Sequence, residues 1–246
     1  MFTSGKVALI TGGKRIGAVV ATTLAKAGVD IALVYNRSRD EADETSAAVR
    51  ALGSRAFSVH ADVTSVEACE YAVASTIREL GRIDILINMA SLYVEKPIDQ
   101  LTVEDWDRQL AVDLRASFLF SQAVAPEMRK RGGGRIINFT DWVAASARPR
   151  YAGYTPYYVA KAAVKALTET LALELAPAQI LVNAIAPGPI LAPPDITTDE
   201  SVAIVKSTPL GRWGGEDEIA KAVMFLVESD FVTGETIRVD GGRHVR

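Results

Sequence analysis

Cysteine is almost missing from this chain of 246 residues: Cys69 stands alone, so no internal disulfide can form. The N-terminus runs into an apolar strand pattern by Val7 without the charged-then-apolar layout of a secretory leader, and together these features lead us to expect a reducing, cytoplasmic setting. No apolar run approaches the roughly 18 residues a spanning helix requires, so no membrane segment is expected. An excess of charge of one sign is also lacking. Lys and Arg number 27 against 30 Asp and Glu, a formal net charge of −3, which offers no basic field to nucleic acid or anionic lipid. The expected partner is a small molecule. Histidine is confined to His60 and His244, both expected to be structural, and no metal site is expected. Cys69 itself shares a helical pattern with Val66 and Val73, the setting of a small buried side chain rather than a reactive thiol.

Hydrophobic residues make up 49% of the chain, ample for one large core. Short β-branched runs alternate with longer helical patterns, the signature of βαβ units, so the fold class expected is α/β: a single Rossmann-type doubly wound domain with a seven-stranded parallel sheet flanked by helices. The strands are expected at Val7–Thr11, Ile31–Tyr35, Ala56–Ala61, Ile83–Asn88, Arg135–Phe139, Ile180–Ile185 and Thr236–Val239. Helices are expected near Ile16–Ala27, Asp40–Leu52, Val66–Leu80, Val103–Arg131, Thr155–Leu175 and Glu216–Val227. The connection from Pro187 to Gly211 carries Pro189, Pro193, Pro194 and Pro209 and is too long for an idle loop. It reads as a substrate lid over about 188–211, with a short helix near Asp199–Lys206. In open parallel sheets ligands sit beyond the carboxyl ends of the strands, which places Thr11, Asn36, Asp62, Asn88, Asp141 and Pro187 along one crevice.

Three local motifs carry chemistry. Tyr157 and Lys161 are one helical turn apart on a segment with Thr155 as expected N-cap, Pro156 at the first helical position and apolar residues recurring at helical spacing. The cation can favour the phenolate, and a phenol so placed can deliver a proton to substrate; coincidence on a solvated helix is the competing reading. Thr11-Gly-Gly-Lys-Arg-Ile-Gly17 follows the first strand and opens the first helix, where glycines let the backbone approach a pyrophosphate and helix N–H groups bind it. At the end of the second strand, Tyr35-Asn-Arg-Ser-Arg39 has no acid before Asp40. Asn36, Arg37 and Ser38 therefore suit the 2′-phosphate of NADP, against the alternative that Arg37 is a solvated loop arginine.

With these residues the chain resembles the short-chain dehydrogenase/reductase family over nearly its whole length. The resemblance implies that Gly12, Ile16 and Gly17, with Lys14 and Arg15 between, form the phosphate turn. It also implies that Asp62 and Val63 contact adenine, that Asn88-Met89-Ala90 lies under the cofactor with Thr140 nearby, and that Pro187, Gly188 and Ile190 sit beside the nicotinamide. Tyr157 and Lys161 are similar to the catalytic pair, Lys161 also holding the nicotinamide ribose, and the implied cofactor is NADPH/NADP.

Lys14-Arg15, Ser91 with Tyr93, Asn138-Phe-Thr-Asp141, Gly153-Tyr154-Thr155 and the ending Asp240-Gly-Gly-Arg-His244 resemble one branch, the pteridine reductases and dihydromonapterin reductases. There Asp141 stands where most relatives use serine. An ionised aspartate only accepts hydrogen bonds and repels charge developing on a carbonyl oxygen, which disfavours ketones, whereas a pterin presents N–H donors. Asp141 capping the following loop is the competing reading. The resemblance implies a pterin between the nicotinamide face and Tyr93, with Ser91 and Arg15 near its polar edge. For Tyr93, ordinary packing under the lid is the alternative.

Three departures mark this chain. The glycine turn is one residue short, Asp141 to Tyr157 is about three residues longer than in relatives, and the family's catalytic asparagine falls at Asp113. Further expectations are a homotetramer, by analogy, and a basic tail, Arg243 to Arg246, that could cross to a neighbouring subunit. Function is read as NADPH-dependent pterin reduction. A carbonyl reductase such as a 3-oxoacyl-carrier-protein reductase is the alternative, and a non-catalytic NADP-binding sensor the second alternative.

Overall fold

Val7 to Thr11 (β1) is buried throughout, because a parallel strand covered on both faces has no solvent side. The remaining strands are Asp30–Tyr35 (β2), Ala56–His60 (β3), Ile85–Asn88 (β4), Gly134–Phe139 (β5), Ile180–Pro187 (β6) and Thr236–Val239 (β7). They form one parallel sheet in the order β3-β2-β1-β4-β5-β6-β7. The computed structural model describes residues 3–12, 14–193 and 196–246, so Gly13 of the glycine turn and Pro194 of the expected lid lie outside the described residues.

The helices are Ile16–Lys26 (α1), Arg39–Ala51 (α2), Val66–Leu80 (α3), Val103–Leu110 (α4), Ala116–Lys130 (α5), Trp142–Ala145 (α6), Thr155–Leu175 (α7), Thr198–Ser207 (α8) and Glu216–Glu228 (α9). Alternate residues of the strands feed two apolar layers. Val7 and Leu9 pack with Val73, Phe120, Val124 and Leu175 on the side of α3, α5 and α7. Ala8 and Ile10 pack with Val20, Leu24, Val49 and Val223 on the side of α1, α2 and α9. Helix ends follow local chemistry: Ser65 accepts from the Ala68 N–H to start α3, Gly81 at φ 88° ends it, and Thr102–Asp105 and Thr197–Glu200 form capping boxes on α4 and α8.

Three expectations need correction, and one helix was not foreseen. β4 begins at Ile85, not Ile83, because the Asp84 carboxylate takes the Val7 N–H at 3.0 Å and pairs with Arg82. The helix expected over Val103–Arg131 is interrupted by a π-turn at Ala111–Arg115. Tyr154, not Thr155, is the N-cap of α7, one residue earlier than the sequence implies, and Thr155 is helical. Finally, α6 is too short to show a period, and the Asp141 side chain starts it by accepting from the Val143 N–H.

The strand order reverses direction between β1 and β4, opening a crevice at the carboxyl ends of the strands. Among the described residues no helix is long and apolar enough to cross a membrane, and no group of His, Cys, Asp and Glu is placed to hold a metal.

Candidate active site

A cleft of about 710 Å³ runs over the ends of β1, β2 and β3, lined in part by Gly12, Asn36, Arg37, Ser38, Asp62 and Val63. It shares Gly12, Lys14, Met89 and Ser91 with a second cleft of about 360 Å³ that holds Arg15, Thr140, Asp141, Tyr157, Lys161, Pro187, Gly188 and Ile190. Most of the expected site residues are thus gathered along one groove, whereas Gly17, Asn88 and Asp113 are buried behind it and Tyr93 stands beside Tyr157 outside these two linings.

The glycine turn is held by close backbone contacts. A Cβ on Gly12 would come within 3.0 Å of the Ala90 nitrogen, and one on Gly17 within 2.5 Å of the Gly12 carbonyl oxygen. Thr11 Oγ1 accepts from the Met89 and Ala90 N–H groups and ties β1 to this segment. The shortened turn is absorbed at Arg15, the N-cap of α1, whose φ of 53° and ψ of −107° lie where L-residues rarely go. No acid occupies the first turn of α1, so its helix dipole faces the groove unopposed. This cradle, with the backbone exposed at Gly12, fits a dinucleotide pyrophosphate. Lys14 is engaged by Glu41. Arg37 makes no hydrogen bond or ion pair among the described residues. Asp62 folds back to accept from the Thr64 N–H and Oγ1, bonds that hold its carboxyl below the usual range.

Some of these residues brace the site rather than face it. Asn88 is buried and its Nδ2 donates to Asn138 Oδ1 at 2.9 Å, while its own Oδ1 is left without a partner. Asn138 in turn donates to Thr168 of α7. Thr140 donates to the Lys161 carbonyl at 2.6 Å. Ser91, expected at the substrate, donates its hydroxyl to Asp113 instead.

The reactive groups lie where β5, the π-turn and α7 meet. Tyr157 Oη donates to Asp141 Oδ2 at 3.0 Å, and Asp141 Oδ1 accepts from the Val143 N–H at 2.8 Å, so one carboxyl both caps α6 and contacts the phenol. Lys161 is 3% exposed; its Nζ donates to the Phe139 carbonyl at 2.9 Å and pairs with Asp113 Oδ1 at 3.0 Å. Asp113 also accepts from the Leu92 N–H and from Gln109 Nε2.

This arrangement corrects the expected electrostatics. Burial, then the nearby Asp141 and Asp113 carboxylates, push the Tyr157 phenol well above its ordinary value, while Lys161 is paired with Asp113. The phenol is thereby kept protonated. Burial also raises Asp141, partly opposed by its bonds to Val143 and Tyr157 and by Lys161.

Tyr93 is 58% exposed but not free on both faces: Tyr154 stacks on it with centroids 4.5 Å apart, and Tyr157 meets its edge at 4.9 Å. The loop carrying Tyr154 is fastened by the C-terminal tail, since Arg148 donates to the His244 carbonyl and Arg150 to that of Arg246. Trp142 lies beneath the guanidinium groups of Arg150 and Arg243. In this chain the tail docks on its own loop, where its cations meet an aromatic ring and its carbonyls meet arginines. Sequence reasoning missed Tyr154 as an aromatic neighbour of the site, Gln109 as support for Asp113, and Arg108 at the cofactor groove. His60 packs near the Tyr35 ring and His244 contacts Asp240, while Cys69, buried and pushed up to about 11 by desolvation, donates to the Val63 carbonyl as a packing thiol.

A family model described as Enoyl-(Acyl carrier protein) reductase matches residues 12–244. Among curated proteins, the short-chain reductase protein NovJ of Streptomyces niveus is 40% identical, with 96% of this chain and 93% of that protein covered. The 3-oxoacyl-[acyl-carrier-protein] reductase FabG of Staphylococcus epidermidis is 33% identical, with 98% and 99% covered. Among solved structures, a short-chain dehydrogenase/reductase from Serratia marcescens superposes with a TM-score of 0.92 at 33% identity, covering 99% of this chain and 100% of the other. The chain belongs to the short-chain dehydrogenase/reductase family, oxidoreductases that work with a nicotinamide cofactor.

Proposed function

We propose that this protein is an NADPH-dependent reductase of a carbonyl substrate, of the kind its 3-oxoacyl-reducing relatives represent. The observation that carries this reading is the Tyr157–Asp141 hydrogen bond at 3.0 Å, beside a Lys161 fixed by Asp113. An ionised Asp141 would repel a ketone oxygen, but burial moves that carboxyl toward the neutral form, in which its O–H can donate as a serine hydroxyl does. When bound, the nicotinamide cofactor supplies the hydride. With the roles in that hydrogen bond exchanged, a neutral Asp141 donates to the Tyr157 oxygen and frees the phenol hydrogen for the substrate oxygen; the phenol O–H bond breaks as the new O–H bond forms. Lys161 opposes the charge left on the phenolate, and Asp113 keeps that lysine in place. Arg37 and Ser38, with no acid before Asp40, support NADPH over NADH. Arg37→Asp is expected to raise the NADPH Kd far more than the NADH Kd; equal changes defeat the cofactor assignment.

Pterin reduction is the second reading, favoured by the carboxyl at Asp141 and by the exposed aromatic Tyr93 at the cleft mouth. Here Asp141 would accept from pterin N–H groups, and a planar ring would stack where Tyr154 now covers Tyr93. Parallel assays of nicotinamide oxidation with a 3-oxoacyl thioester, a diketone, dihydrobiopterin and dihydrofolate decide between them. Turnover of the carbonyl compounds alone supports the first reading, and turnover of the pterins alone supports the second. Failure with all of them would favour a non-catalytic NADP-binding sensor.

A homotetramer is part of the same proposal. Exposed apolar residues on the outer helices, Phe118 on α5 and Val159 and Leu173 on α7, support it. Light scattering after gel filtration checks it.

A further inference from the structure

We propose that Arg108 binds the adenine of the dinucleotide, its guanidinium lying on the base from the α4 side of the groove while Asp62 takes the opposite edge. The inference rests on the nucleotide reading of the 710 Å³ cleft, which Arg108 lines together with Asp62, Val63, Thr64 and Val112. Arg108 stands in the last turn of α4, one turn after Glu104, the spacing at which an exposed helical ion pair forms readily. No such pair exists: among the described residues Arg108 makes no hydrogen bond or ion pair, although the same helix ties Asp105 to Lys96. Its side chain is instead part of the cleft wall, and its charge acts on Asp62 ahead of that of Arg37. Arg37 reaches the cleft from the end of β2 and Arg108 from α4, so the two cations approach from different elements, Arg108 for the base and Arg37 for the 2′-phosphate. A planar guanidinium stacks on a purine face and can donate to its ring nitrogens, whereas Asp62, held as a carboxylate by Thr64, can accept from the exocyclic amine.

The test is calorimetric titration of the unliganded protein with 5′-AMP, NADH and NADPH, for wild type, Arg108→Ala, Arg108→Lys and Arg37→Ala. Arg108→Ala is expected to weaken all three ligands by a similar factor, about tenfold. Arg108→Lys is expected to restore less than half of that loss on a logarithmic scale, because a lysine keeps the charge and loses the plane. Arg37→Ala should weaken NADPH alone. Unchanged 5′-AMP binding in Arg108→Ala, or a loss confined to NADPH, overturns the assignment. Wild type that binds none of the three overturns the nucleotide reading itself, and Arg37→Ala without effect on NADPH overturns only the 2′-phosphate assignment. Thermal melting of each variant verifies that it is folded.

Discussion

Asp113 Oδ1 lies 3.0 Å from Lys161 Nζ, with both side chains withdrawn from solvent. The family resemblance implies an asparagine at that place, whereas this site carries a carboxylate paired with Lys161. Removing one partner of a buried pair leaves the other uncompensated, at a cost of about 3–5 kcal/mol. Asp113→Ala is expected to lose stability of that order in denaturant melts. Asp113→Asn, which keeps one accepting oxygen and the side-chain volume, should lose less. Equal stability of Asp113→Ala and wild type would contradict the pairing.

Tyr157→Phe removes the proposed proton donor while leaving the lining of the larger cleft unchanged. Turnover is expected to fall by at least about 10²–10⁴-fold while the NADPH Kd stays within about twofold, as measured by steady-state rates and fluorescence titration.

For Asp141 the sign follows from burial. Its folded-state pKa is raised, so the ionised form is disfavoured in the native protein. Stability is fully present below the unfolded pKa and is lost as pH rises through the folded one. Asp141→Asn cannot ionise and keeps an oxygen for the Val143 N–H. Its melting temperature is therefore expected to gain progressively on wild type as pH rises above the usual carboxylate range. Asp141 also raises the Tyr157 phenol, second to burial, so the basic limb of the pH–rate profile should move to lower pH in the same variant. A melting difference that is flat with pH would refute the buried-carboxyl account.

At the glycine turn two substitutions should act in opposite directions. Gly17→Ala drives a Cβ to 2.5 Å from the Gly12 carbonyl, which distorts the phosphate cradle; nucleotide affinity should fall at least about tenfold. Arg15→Gly relieves a backbone conformation worth about 1–3 kcal/mol of strain, offset by about 0.5–1 kcal/mol of glycine entropy. A net gain of about 1 kcal/mol in denaturant melts is expected. A loss of stability in Arg15→Gly would show that the turn is relaxed as it stands.

Much of the architecture could be read along the chain. Strands buried on both faces are continuous apolar runs, and helices with one wet face repeat at their own period, so β1 and α3 begin and end at residues that local chemistry dictates. The glycine turn and the Tyr157–Lys161 spacing were equally plain, because each lies within one local element. The limits of such reading are the β4 start, where a side chain replaces a ladder partner, the π-turn at Ala111–Arg115, which has no period of its own, and the four-residue α6.

Residues alone thus determined the doubly wound sheet, the phosphate turn and a phenol with its lysine, since local periodicity and turn chemistry need only near neighbours. Tertiary structure decided what that lysine and phenol experience: Asp113 drawn in by the π-turn to balance Lys161, Asp141 turned upon Tyr157 while capping α6 and Tyr154 laid over Tyr93; it also brought Arg108 to the same cleft as Arg37. Those partners come from segments far apart in sequence. They meet only because parallel strand register brings the ends of β1 to β6 into one crevice, and charge and burial there depend on distance in space rather than along the chain.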